Sequence, residues 1–386
     1  MAKTLLNVKP NIKGLGKFAL AFFDVAANEP KGYRGITHLC EHVICEGFKP
    51  FEEEVNSKGL SFNAYTSMDD VVCYIEGLEE TLKDYKYKFI NSLLNYIPSK
   101  EVFERERKIV LSEYTMAMAN PISEFSYNFI RKYFNFYAPL GIRKDIEEIT
   151  YESFLEYYTK YFKKCSQIIN YSQNKLDFDI SNFIKSNNLK EVKLKPKIYK
   201  QAIIEHNNTT NNEVIFNVRF LDKSYYKKDI KKLMYWDIFA SYLSEGLSSP
   251  LVKNIREKLG IYFISASFTK IFKSCAYFDI SAQSSIEMRD KVSSRIKEVI
   301  EEEIKNINKD RFEKMLSSIR NKVKITMLNK DFNFYYRKYN RPKSFKYDKQ
   351  FMNTNLSFDE FKKIIQQDFN SVKNYTEFAT EMKANA

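Results

Sequence analysis

Apolar residues dominate Lys-Phe-Ala-Leu-Ala-Phe-Phe-Asp-Val from Lys17 to Val25, which predicts a buried strand. Polar residues with Pro30, Gly32 and Gly35 make Ala26–Gly35 a loop; a helical pattern then opens near Ile36 and ends around Gly47. Strands are predicted over Ser61–Thr66 and Val71–Gly77, with a turn at Met68-Asp69-Asp70 between them. Helical periodicity returns over Leu78–Tyr96 and Ser99–Ala119, and Pro121 closes the second helix. Pro139-Leu140-Gly141 marks a loop, Thr150–Phe162 a helix and Gln167–Tyr171 a strand.

Between Asn187 and Gln201 lysine becomes frequent and periodicity fades, so a linker is placed at 189–201, between a first domain over 1–188 and a second over 202–386. The second half repeats the style of the first. A strand is expected at Asn212–Phe220, a long helix at Lys228–Leu243, a loop at Ser244–Pro250 and a helix at Leu251–Lys258. A strand pair at Ile261–Ile271 and Cys275–Ser284 precedes helices at Ser285–Asn306 and Lys309–Lys330. Both halves read as strands with long helices packed on them, which suggests duplication at the level of fold.

Composition narrows the picture. Of 386 residues, 44% are hydrophobic and 16% aromatic, enough for packed cores and too many for a disordered chain. No apolar run approaches the ~18–20 residues of a membrane span, and the polar opening Met1–Pro10 does not read as a signal peptide. The five cysteines (Cys40, Cys45, Cys73, Cys165, Cys275) include no Cys-x-x-Cys pair, which argues against a disulfide scaffold and a thiolate zinc site. A reducing, cytoplasmic setting with no membrane partner is therefore expected. The net charge of +13 accompanies an abundance of Lys, Asn, Ile, Phe and Tyr, a mixture typical of AT-rich coding sequence. We read it as a lysine-rich solvated surface; with no zinc finger, phosphate loop or RNA-binding signature, no nucleic-acid partner is expected.

Only three histidines occur, and His38 and His42 stand four residues apart in His38-Leu39-Cys40-Glu41-His42. On a helix this spacing points both imidazoles at one ion. Glu41 sits close enough to reach a water on that ion without being a ligand, the reverse order of the common zinc-protease helix. Zinc with an open position lowers the pKa of bound water to roughly 7, and a neighbouring carboxylate can take its proton. A further ligand must come from elsewhere. Glu106 and Glu113, seven apart on the predicted helix Ser99–Ala119, share a face, so one can ligate while the other orients a ligand. Cys40 lies off the face of the two histidines and reads as packing, and His206 sits in a polar stretch read as an exposed turn.

With its surroundings, this motif resembles the inverted-zincin peptidases, the family of pitrilysin, insulin-degrading enzyme and mitochondrial processing peptidase. The resemblance takes in Gly35-Ile36-Thr37, Ile44-Cys45-Glu46-Gly47-Phe48, Ser57–Ser67 with its Asn63-Ala64-Tyr65-Thr66, Glu104–Glu113, and Pro139-Leu140-Gly141 with Ile146–Thr150. It implies an α+β fold of two homologous domains, each a mainly antiparallel sheet with long helices packed on it. It also implies one Zn²⁺ per chain held by His38, His42 and Glu113, with Glu41 as general base and Glu106 supporting the ligands. The strand with Asn63, Ala64 and Thr66 would be an edge to which a peptide substrate adds by backbone hydrogen bonds.

In the second half, Leu243–Leu251 and Asn254–Phe263 resemble the segment with which the family clamps substrate through an Arg and a Tyr seven residues on. Arg256 fits, but position seven is Phe263 and the tyrosine comes one residue early, at Tyr262. A one-residue offset on a strand turns a side chain to the opposite face, so either a bulge restores Tyr262 or a donor worth ~10²–10³ in rate is missing. The resemblance further implies a homodimer, or a heterodimer with a related subunit, closing a chamber around its substrate. The expected function is a zinc metalloendopeptidase acting on peptides or unfolded segments; the alternative is a non-catalytic or partner-dependent subunit.

Overall fold

The computed structural model describes residues 4–120, 123–124, 126–128, 131, 139–185, 207–208, 213–222, 230–271, 275–371 and 377–378. The expected linker 189–201 and His206 lie outside the described residues. The fold is α+β, and the chain divides into two compact units.

The first unit is built on a five-stranded sheet. Its strands are β1 (Leu5–Val8), β2 (Leu15–Phe23), β3 (Ser61–Thr66), β4 (Asp70–Leu78) and β5 (Gln167–Tyr171), in the order β1-β5-β2-β4-β3. All neighbours are antiparallel except β1 and β5, which run parallel. β1 was not anticipated, because Leu-Leu-Asn-Val is too short and mixed to stand out among polar neighbours. Central β2 buries both faces, as its continuous apolar run requires. Phe18, Leu20 and Phe22 point into the main core, and Ala19 and Ala21 into a second cluster on the opposite side. β3, at the edge, alternates exposed and half-buried positions.

The helices of this sheet's sequence span include α1 (Ile36–Cys45), α2 (Glu52–Ser57), α3 (Glu79–Leu94), α4 (Lys100–Ala119), α5 (Arg143–Glu148) and α6 (Tyr151–Phe162). The main core joins one face of the sheet to apolar residues of α1, α3, α4, α5 and α6. The other face is covered from far along the chain, by a helix at Phe332–Asn340 that groups with this unit although the expected boundary at 188 leaves it outside. Its Phe332 and Tyr336, one turn apart, pack on Leu6, Val8, Ala19, Ala21, Val72 and Ile169, apolar surface that the sheet would otherwise expose. Tyr336 also donates a 2.5 Å hydrogen bond to Asp70 at the start of β4.

The second unit holds a wholly antiparallel sheet of β6 (Asn207–Asn208), β7 (Glu213–Asp222), β8 (Ile264–Ile271), β9 (Cys275–Ser285) and β10 (Glu377–Phe378), ordered β10-β7-β9-β8 with β6 beside β7. Asn207 and Asn208, expected in an exposed turn, instead pair with Ile215 and Val214. The helices are α7 (Ile230–Ser244), α8 (Arg289–Lys305), α9 (Lys309–Asn329), then α10 (the Phe332–Asn340 helix of the first unit), α11 (Pro342–Asn353) and α12 (Phe358–Ser371). The segment expected as helix Leu251–Lys258 winds as a π-helix over Val252–Glu257. Nothing after Lys330 was assigned from sequence, yet among the described residues α10, α11, α12 and β10 follow.

Candidate metal centre

Helix α1 opens at Gly35, whose left-handed φ of 104° suits glycine and leaves the helix without a side-chain cap from that position. A Cβ there would come within 2.9 Å of Ile146 on α5. Glu29, buried in the preceding loop, caps the helix instead: its carboxylate accepts the N–H of Gly35 at 3.0 Å and of Thr37 at 2.9 Å. Burial pushes its carboxyl up to about 7 against these bonds. Thr37 also hydrogen-bonds Tyr157 of α6 at 3.0 Å. With Ile36, Leu39, Cys40, Val43 and Ile44 buried in the core, His38, Glu41 and His42 are left on the half-buried face.

That face meets α4. His38 Nε2 lies 3.6 Å from Glu113 Oε2, and His42 Nε2 lies 3.5 Å from Glu113 Oε1. The three side chains can each place a donor atom within 4.8 Å of the others. Donors ~2.0–2.2 Å from a tetrahedral zinc stand about 3.3–3.6 Å apart; the two His–Glu113 distances match that spacing, and the set as a whole, within 4.8 Å, closes on an ion by a small side-chain adjustment. Burial, with a smaller push from His42, lowers His38 to about 4, so at neutral pH its imidazole is uncharged and able to ligate. His38 Nδ1 is buried without a hydrogen-bond partner. His42 differs: its Nδ1 faces Glu106 Oε2 at 3.4 Å.

Glu106 is itself held. Arg105 Nε donates to its Oε1 at 2.9 Å, and the same guanidinium pairs with Glu46, which also takes Lys49 at 2.9 Å. Arg105 went unnoticed in the sequence because adjacent residues do not face each other on a helix; only its long side chain, folded back, makes the contact. Glu29 carried no sequence signal at all, being one acid in a polar loop.

Glu41 lies beside the donors but outside their set, with its Oε2 accepting a 2.8 Å hydrogen bond from Thr66 Oγ1 of β3. Burial raises its pKa, the Thr66 bond and His42 oppose this, and Glu113 adds to it. Of the other expected substrate-strand residues, Ala64 packs against the core, and exposed Asn63 turns its Oδ1 back to accept the N–H of Ala64 at 2.8 Å. Arg256 and Tyr262 belong to the second unit, where the guanidinium lies 5.9 Å from the ring centre. Tyr262 is 84% exposed and Phe263 37%, just ahead of β8, so the tyrosine stands open where the offset left it.

An α+β unit presenting two imidazoles and a carboxylate close to one point, with a second carboxylate beside them, has donor atoms that could hold a metal ion. The comparisons identify the family: the chain belongs to the M16 peptidases. Residues 26–135 match the family model described as "Insulinase (Peptidase family M16)", and residues 148–319 match "Peptidase M16 inactive domain". An "Uncharacterized zinc protease" of Rickettsia bellii is 24% identical over 319 residues, covering 77% of this chain and 75% of the relative. A protease from Helicobacter pylori shares the fold at a TM-score of 0.74 and 17% identity, with 98% of each chain covered. Pitrilysin matches at 0.68 and 16% identity over 97% of this chain and 43% of its own. Among the described residues no helix is long and apolar enough to cross a membrane.

Proposed function

We propose that this chain is a zinc-dependent metalloendopeptidase of peptides or unfolded segments, with His38, His42 and Glu113 as ligands of one Zn²⁺. The observation that carries the reading is the 3.5–3.6 Å convergence of both imidazoles on Glu113, with Glu41 alongside and outside the donor set. Zinc there supplies a Lewis acid that polarises the scissile carbonyl and acidifies water. Glu41 accepts the proton of the attacking water and passes it to the leaving amine. Glu106, steadied by Arg105, accepts from His42 Nδ1 and so keeps Nε2 turned to the centre. An extended peptide adds along the edge strand β3, and the family resemblance gives Arg256, with Tyr262 beside it, the part of a substrate clamp. The family resemblance supports a homodimer as the working assembly.

A partner-dependent subunit is the second reading, favoured by Phe263 at the position seven after Arg256. Metal content and cleavage of a quenched peptide library, compared between wild type and Glu41→Gln, separate the two. One zinc in both with turnover in wild type alone supports the peptidase. Zinc in both and turnover in neither moves the reading to a subunit that needs a partner. No zinc in either ends the ligand assignment.

A further inference from the structure

The expected part for Thr66 was in the substrate strand, yet its side chain turns the other way. It shares the inward face of β3 with Phe62 and Ala64, and its hydroxyl donates to Glu41 Oε2 at 2.8 Å. Phe62 anchors that face, its ring 5.1 Å from Phe48 and 5.8 Å from Phe89. The turn just beyond Thr66 is tied as well. Ser67 N–H donates to Asp70 O at 2.7 Å, Ser67 Oγ donates to Asp70 Oδ1 at 2.6 Å, and Asp70 Oδ2 takes the 2.5 Å bond from Tyr336. Thr66 thus presents its hydroxyl from a fixed backbone, while Glu41 is a two-torsion-longer side chain next in sequence to a metal-binding histidine. A free carboxylate so placed competes for an open coordination position, because zinc takes Asp or Glu oxygens readily.

We propose that Thr66 is a positioning residue: its hydroxyl occupies one oxygen of Glu41 and keeps that carboxylate a base rather than an added metal ligand. The inference rests on the metallopeptidase reading above. One acceptor oxygen is engaged by Thr66, and the other is left for the proton of the attacking water. Because a hydrogen bond to a charged group is worth more than a neutral one, its loss is expected to cost about 10–100-fold in turnover.

The test compares Thr66→Val, which keeps the shape and removes the hydroxyl, with Thr66→Ser, which restores it. Each is prepared with zinc for peptide kinetics and with Co²⁺ for visible absorption, whose d–d intensity falls as coordination rises above four. Expected for Thr66→Val is a kcat loss of about 10–100-fold with KM within about twofold and a weakened cobalt absorption. Thr66→Ser should return both to within about threefold of wild type. Wild-type kcat and an unchanged cobalt spectrum in Thr66→Val overturn the proposal. So does a loss confined to KM and shared by Thr66→Ser, which marks a strand contact with substrate. If wild type itself turns nothing over, the peptidase reading fails, while the cobalt spectra of the two variants still decide the role of Thr66.

Discussion

Two helices occupy corresponding places, α1 after β2 in the first unit and α7 after β7 in the second, and they solve opposite problems. Helix α7 is buried nearly all round, with Tyr235, Trp236, Phe239 and Tyr242 in one core cluster. Its one acid, Asp237, is neutralised by Lys270 at 2.5 Å and accepts from Tyr347 at 2.5 Å. Helix α1 buries only one side and leaves two imidazoles and a carboxylate on the half-buried face that meets Glu113. The polar group in α7 is satisfied within the core, whereas the cluster on α1 has the donor atoms to take a metal ion, as the proposed function requires. The first arrangement marks packing and the second marks a candidate site.

The sharpest way to break this contrast is to truncate each helix at its centre. Phe239→Ala should cost about 3–5 kcal/mol, as large-to-small changes in a full core do, and should leave the zinc content of the surviving folded protein unaltered. His42→Ala should do the reverse, removing bound zinc while moving the metal-free melting midpoint by no more than about 3 °C. Calorimetry with metal analysis on both variants checks the pair; equal stability losses would dissolve the distinction.

Next in size is the pH dependence carried by Glu29. The folded state holds its proton to about pH 7, whereas a free carboxyl releases it near 4.5. The stability it confers is therefore complete below pH 4.5 and is lost as pH rises through 7, a difference of about 3 kcal/mol. Glu29→Gln should remove that slope, so its melting temperature relative to wild type should climb between pH 5 and pH 8; parallel curves would refute it.

A smaller effect is expected at Glu106→Gln, which weakens the acceptor behind His42. Zinc affinity should fall about 10–100-fold, read by competition with a chelating dye. An unchanged affinity would mean that His42, like His38, is oriented by packing alone. Smallest is Tyr336→Phe, which deprives Asp70 of a donor and should lower stability by about 1–2 kcal/mol in denaturant melts. No change would show that α10 holds the sheet through its aromatic rings only.

Much of the first unit was legible in sequence because strong patterns are local. The strands Ser61–Thr66 and Gln167–Tyr171 coincide with β3 and β5, and Ser99–Ala119 brackets α4 with Ser99 capping it through the N–H of Val102. The spacing of four between His38 and His42, and of seven between Glu106 and Glu113, put their side chains where the helices meet. The contacts that connect distant segments were not legible. Nothing in the loop before α1 singled out Glu29, and no periodicity relates Thr66 to Glu41, because the bond depends on how a strand edge meets a helix. The helix at Phe332–Asn340 was missed for the same reason: its partners are the spare faces of β1, β2, β4 and β5.

That late helix also sets a timetable. At about 5–20 residues per second of synthesis, residues 1–171 emerge roughly 10–30 s before Asn340. Through that interval the sheet lacks its outer cover, and Asp70, beside the turn that follows Thr66, lacks its tyrosine. A nascent chain therefore carries every residue of the candidate centre well before it carries the last support of the hairpin next to Glu41, so the order of translation leaves that hairpin without its tyrosine until most of the polypeptide has been made.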